Sequence, residues 1–188
     1  MAINRLNVSL SGVQPGGLAK VVPSSVAVGS GSGSVDSNGT VTFSGCSSLA
    51  LNNIFSSSYT NYLVLMDVTP STSASIQLRF RTTTDDTSAK YSIQHITASS
   101  TTITGTRVLN DSVLNINKGP AGNRYPYTME IFNPNQAIVT TGHIKGIEYM
   151  LNQLSSFYVD TTTQYTGFNL IPSTGTISGT AFVYGYAN

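Results

Sequence analysis

Hydrophobic residues in this chain recur in short alternating runs, separated every few residues by glycine, proline, asparagine and serine. The clearest run is Ile76-Gln77-Leu78-Arg79-Phe80-Arg81. A period of two is the period of a pleated strand. It puts Ile76, Leu78 and Phe80 on a core face and Gln77, Arg79 and Arg81 on the other. Tyr62 to Val68 is a mostly apolar run of strand length that ends at Thr69-Pro70-Ser71, which predicts a central strand covered on both faces. Thr40 to Phe43 follows the strong turn Asp36-Ser37-Asn38-Gly39. Tyr91 to Thr97 and Thr101 to Leu109 are expected to pair as a hairpin, and Tyr127 to Phe132 is stopped by Asn133-Pro134-Asn135. Phe157 to Val159, Gly167 to Ile171 and Thr176 to Tyr186 complete the set. Roughly eight to ten short strands with turn signals and no internal repeat predict an all-β fold. The expected architecture is an antiparallel, jelly-roll-like β-sandwich.

Two stretches depart from this pattern. In His143 to Leu154, the residues Ile144, Ile147, Leu151 and Leu154 are spaced as on a helix face, while Gly146 and the serines that follow oppose a long helix. A strand is preferred there, with a short helix as the alternative. Residues 1–34 alternate loosely around Gln14-Pro15-Gly16-Gly17 and end in the glycine–serine run Gly29 to Ser34, which has the chemistry of a flexible linker or of a plain surface loop. This predicts an extended N-terminal arm with Leu6, Val8, Leu10, Val21 and Val22 as docking residues. The sandwich domain would occupy residues 35–188.

Composition strengthens the β reading. Hydrophobic residues make up 39% of the 188 residues, enough for a core, but charged residues only 9%. Soluble domains usually carry roughly 25% charge. Serine, threonine, asparagine and glycine take their place, and with only four lysines and two glutamates there is little to build surface helices from. A net charge of +1 supplies no basic face for nucleic acid. It also leaves little repulsion between copies, which an assembling protein can tolerate. Met1 to Arg5 is not followed by an apolar leader, and the longest apolar run, Leu63 to Met66, is too short for a bilayer. Synthesis in a cytoplasm without membrane insertion is the expectation. Cys46 is the sole cysteine, so no internal disulfide can form.

Candidate chemistry is thin. His95 sits in the strand pattern Tyr91-x-Ile93-x-His95, and neither it nor His143 has metal-ligand spacing to a second donor. Ser44-Gly45-Cys46-Ser47 reads as a strand end with a small buried thiol, and no nucleophile-elbow motif is present. Asp85-Asp86, within Thr82 to Thr87, has the composition of an exposed hairpin tip, with a calcium site as the competing reading. Gly119-Pro120-Ala121-Gly122 lacks the Gly-Lys-Ser/Thr ending of a phosphate loop. No catalytic residue, metal or cofactor is expected, and the chain reads as no enzyme. Phe182, Tyr184 and Tyr186 share one face of the last strand. They would either close the core or form an aromatic patch for a subunit interface or a carbohydrate.

A family resemblance follows from several of these segments together. Leu49-Ala50-Leu51-Asn52-Asn53-Ile54-Phe55, Tyr59-x-x-Tyr62, Ile76 to Arg81 and the closing Gly167 to Tyr186 resemble small β-rich structural proteins of tailed bacteriophages, those of cyanobacterial phages most of all. The likeness covers residues 35–188 and consists of turn-and-strand patterns, so no catalytic residues carry over. It implies a virion protein, made in the host cytoplasm and assembled as a homotrimer on other virion proteins. The expected place is a tail-associated appendage, a short fibre or tip whose polar loops meet a host surface glycan. The alternative is a capsid decoration (cement) protein clamping the major capsid protein shell.

Overall fold

Turn residues cut this chain into segments short enough for strands and too short for helices, and strands are what they form. A computed structural model describes residues 17–148 and 151–187. The strands are β1 (Leu18–Val21), β2 (Ser25–Val28), β3 (Ser32–Val35), β4 (Val41–Cys46), β5 (Leu49–Asn52), β6 (Asn61–Pro70), β7 (Ala74–Arg81) and β8 (Tyr91–Ser99). They continue with β9 (Thr102–Asp111), β10 (Leu114–Gly119), β11 (Tyr125–Phe132), β12 (Thr140–Glu148), β13 (Leu151–Val159), β14 (Gly167–Pro172) and β15 (Ile177–Tyr186). No helix occurs among the described residues.

All pairings are antiparallel. The larger sheet has the order β3-β4-β15-β6-β11-β12-β13-β8-β9, with β1 also on β15, and the smaller has the order β10-β7-β14-β5-β2. One core joins them. Ile76, Leu78 and Phe80 of β7 and Phe168 and Leu170 of β14 are fully buried against Tyr62, Val64, Met129, Ile131 and Phe157 of the larger sheet. The Phe80 ring stacks on Tyr165 at 5.2 Å and meets Phe157 at 6.0 Å. The fold is therefore the all-β antiparallel sandwich that the alternation predicts.

Two local expectations change. Leu6, Val8 and Leu10 lie outside the described residues, but residues 17–34 are not an arm and linker. β1 takes the part of β15 that β4 leaves open, β2 edges β5, and β3 edges β4. Val21 pairs with Val183 and is partly buried; Val22 is exposed. Glycine is needed here for closeness and not for mobility. Gly31 has φ +71°, and a Cβ on it would meet the carbonyl oxygen of Ser44.

Residues 143–148 and 151–154 lie on the paired strands β12 and β13, the preferred reading for that stretch. The helix-like spacing arises because Ile144 points inward whereas Ile147 and Leu154 point outward. Tyr62 to Val68 is central, but only its Tyr62, Val64, Met66 and Val68 side is buried. Leu63 and Leu65 lie half-buried on the outer face opposite Tyr184 and Phe182, which explains an apolar run with one core face. Thr82 to Thr84 form the exposed tip of a one-bridge hairpin between Arg81 and Asp85, after which the chain crosses to β8 in the other sheet.

Gly142 tests the tightness of this packing. It faces the core on β12, where a Cβ would meet the carbonyl oxygen of Glu130 and the Phe157 ring. Gly142→Val is expected to cost about 2–3 kcal/mol through overpacking, read from the urea midpoint.

Candidate functional site

Adjacent residues on a strand point to opposite faces, so each residue singled out in the sequence is assigned a face by register alone. The final aromatics fall on the outer face of the larger sheet, because Ala181, Val183 and Gly185 between them face inward. They do not close the core. Lys20 Nζ sits 5.1 Å from the Phe182 ring centre, and the Tyr186 hydroxyl donates to Glu130 Oε1 at 3.1 Å.

The acidic pair splits. The Asp86 carboxylate accepts from the hydroxyl of Tyr165 (2.7 Å) and from the hydroxyl and backbone N–H of Ser88. Burial raises its pKa, but these hydrogen bonds and nearby Lys90 outweigh it and hold the carboxyl below its usual range. Asp85 accepts from Asn169 Nδ2 at 2.7 Å and faces Arg81 at 3.7 Å. Each carboxylate is thus committed to its own side of the crossover. Among the described residues, no group of three or more His, Cys, Asp or Glu could hold a metal.

Cys46 is buried and its thiol donates to the Ser32 carbonyl at 3.1 Å, which fits a structural role. His143 Nδ1 lies 3.0 Å from Ser156 Oγ on the outer face, but Glu130, opposite it, gives its carboxylate to Tyr186. His95 lies inside, with Nδ1 2.7 Å from Ser155 Oγ and 3.0 Å from Gln153 Nε2. Gln153 Nε2 also donates to the Ile116 carbonyl and to Ser155 Oγ, which fixes the orientation of its amide. Burial lowers the His95 pKa below 6.5. The unfolded chain then binds a proton that the fold refuses. Stability is complete above about pH 6.5 and falls with pH until the folded group titrates. Melting temperature should drop between about pH 7 and pH 5, and His95→Gln should flatten that drop.

The residues that sequence reasoning missed lie around this histidine. Along β8, Tyr91 and Ile93 face inward, but farther on the inward positions become His95, Thr97 and Ser99 while Ile96 and Ala98 turn outward. The same reversal occurs in β13, where Phe157 and Val159 face in and Leu154 faces out beside inward Ser155 and Gln153. At this corner the larger sheet has polar residues on its inner side and apolar ones outside. The smaller sheet ends at β10 and does not cover β9, so the inner side is wet enough for threonine and serine.

The outer side forms an open groove of about 490 Å³ along β11, β12, β13 and β8, with Pro126, Ile147, Leu154, Ile96 and Ala98 in its floor and Lys145 at its rim. Ile103 of β9, opposite Ala98, is 73% exposed and Ile147 is 57% exposed. Single exposed aliphatics are ordinary; a contiguous set marks a contact surface. The readable signal was the phase slip, with apolar residues at odd positions to Ile93 and even positions from Ile96.

No family model and no curated protein matches this chain. Among solved structures, peanut lectin with a nine-residue peptide is similar at 10% identity and a TM-score of 0.24, over 85% of this chain and 90% of that one. A likeness at that score carries no argument about fold or function.

Proposed function

We propose that this chain is a non-catalytic structural component of a phage particle, a tail-associated appendage that assembles through the outer face of its larger sheet. The observation that supports an assembly role is the reversed corner, where Ile96, Ile103, Ile147 and Leu154 face solvent while polar side chains face inward. Burying such an aliphatic side chain is worth about 1.5–3 kcal/mol, so the fold forgoes several such contributions until a partner covers the face. The phage assignment rests on the resemblance of residues 35–188. A host surface glycan is the proposed external contact. Copy number in purified particles tests the assignment. Tens of copies or fewer fit a tail appendage, hundreds would move the protein to the capsid shell as a decoration protein, and absence from the particle would overturn the virion reading.

A further inference from the structure

Among the described residues β9 is the free edge of the larger sheet, ten residues long, and every residue from Thr102 to Arg107 is exposed. Soluble proteins blunt such edges with lysine, proline, bulges or charges, because unpaired N–H and C=O groups recruit another strand. β9 contains no lysine and no proline, and its bulge lies at the far end, opposite Tyr91 to Ile93.

Which groups are free follows from the turn. Ser99 and Thr102 pair across the two-residue turn Ser100-Thr101, so they form a hydrogen-bonded pair. Even-numbered residues of β9 therefore bond β8, and Ile103, Gly105 and Arg107 direct their N–H and C=O groups to the open edge. Two antiparallel copies of this edge bond only where odd residues meet odd residues, which requires a two-fold axis through a residue. An axis at Arg107 sets that cation against itself. An axis at Gly105 shortens the ladder and puts Ile103 opposite the partner's Arg107. An axis at Thr106 pairs residues 103–109, stopping short of Asn110 in the bulge, with Ile103 opposite the partner's Leu109, Thr104 opposite the partner's Val108, and Arg107 opposite the partner's Gly105. Ile103 and Leu109, 73% and 55% exposed, then cover each other at both ends.

We propose that β9 pairs antiparallel with β9 of a second copy about a two-fold axis at Thr106, joining the two larger sheets into one. The symmetry is isologous and closes at a dimer, in place of the trimer that the phage resemblance implies. The pairing does not rest on the virion reading, since mass in solution tests one and particle association the other.

Sedimentation velocity of the full chain should show a dimer, and Ile103→Lys with Leu109→Lys should weaken it at least ten-fold without lowering the melting temperature. Thr106 would meet its own copy in a non-hydrogen-bonded pair, with Cα atoms about 4.5 Å apart, within disulfide reach. Thr106→Cys should therefore cross-link between subunits under mild oxidation, and Thr104→Cys should not. Cys46 is buried and does not compete. A monomeric chain, an oligomer indifferent to the lysine pair, or equal cross-linking at positions 104 and 106 would overturn the pairing.

Discussion

Phe80→Ala is expected to lower folding stability by about 3–5 kcal/mol, the largest single-residue effect in the chain. The residue is fully buried on the smaller sheet's inner face, near the end of β7. Its ring lies 5.2 Å from that of Tyr165, 6.0 Å from Phe157, 6.1 Å from Phe55 and 6.4 Å from Tyr91. Truncation leaves a cavity bounded by four rings, and rings held on two strands and two separate loops cannot collapse into it together. Two of the neighbours are also pinned by hydrogen bonds. The Tyr91 hydroxyl donates to the Asp86 carbonyl and accepts from the Phe80 N–H, and the Tyr165 hydroxyl donates to Asp86. Burial raises both tyrosine pKa values well above 10, so these hydroxyls stay protonated donors across the accessible pH range. Urea unfolding should show a lowered midpoint with an unchanged slope. A loss under about 1 kcal/mol would mean that the two sheets do not meet at Phe80.

The second large effect concerns binding more than folding. If the chain assembles on a particle as proposed, Ile96→Asp combined with Leu154→Asp should weaken that association by at least about 2 kcal/mol, roughly thirty-fold. The two positions face each other across β8 and β13 on the outer face, and both are nearly half exposed. Replacing them removes no core contact, but two carboxylates directly opposite each other repel, so the melting temperature should fall by a few degrees while the chain remains folded at the assay temperature. The control is Ile138→Asp, an exposed aliphatic in the loop between β11 and β12, which should change neither quantity.

Alternation made the sheets legible because it is a property of the residues themselves. The Ile76 to Arg81 period, the Tyr91–Leu109 hairpin and the Asp36–Gly39 turn all appear in the structure where the residues place them. In the turn, Asp36 Oδ1 accepts from the N–H groups of Asn38 and Thr40. What alternation does not encode is which face a second sheet will cover. Phe182, Tyr184 and Tyr186 could stand in or out until Val183 was seen paired with Val64 in the core. The glycines and serines of residues 29–34 have linker composition, and only contact with Ser44 and Gly45 shows that they serve close packing. The reversed corner was hidden for a further reason. Ile96 and Leu154 look like core residues in isolation, and their exposure follows from the register that turns them to the outer face, away from the smaller sheet, a long-range fact that no local pattern carries.

Hydroxyl-radical footprinting of side chains, on the isolated protein and on the particle into which it is proposed to assemble, tests the contact face most directly. Ile96, Ile147 and Leu154 should be strongly protected in the particle, while Leu18 and Ile138, exposed elsewhere, should label equally in both. Equal labelling of Ile96, Ile147 and Leu154 in the two states would contradict assembly through this face.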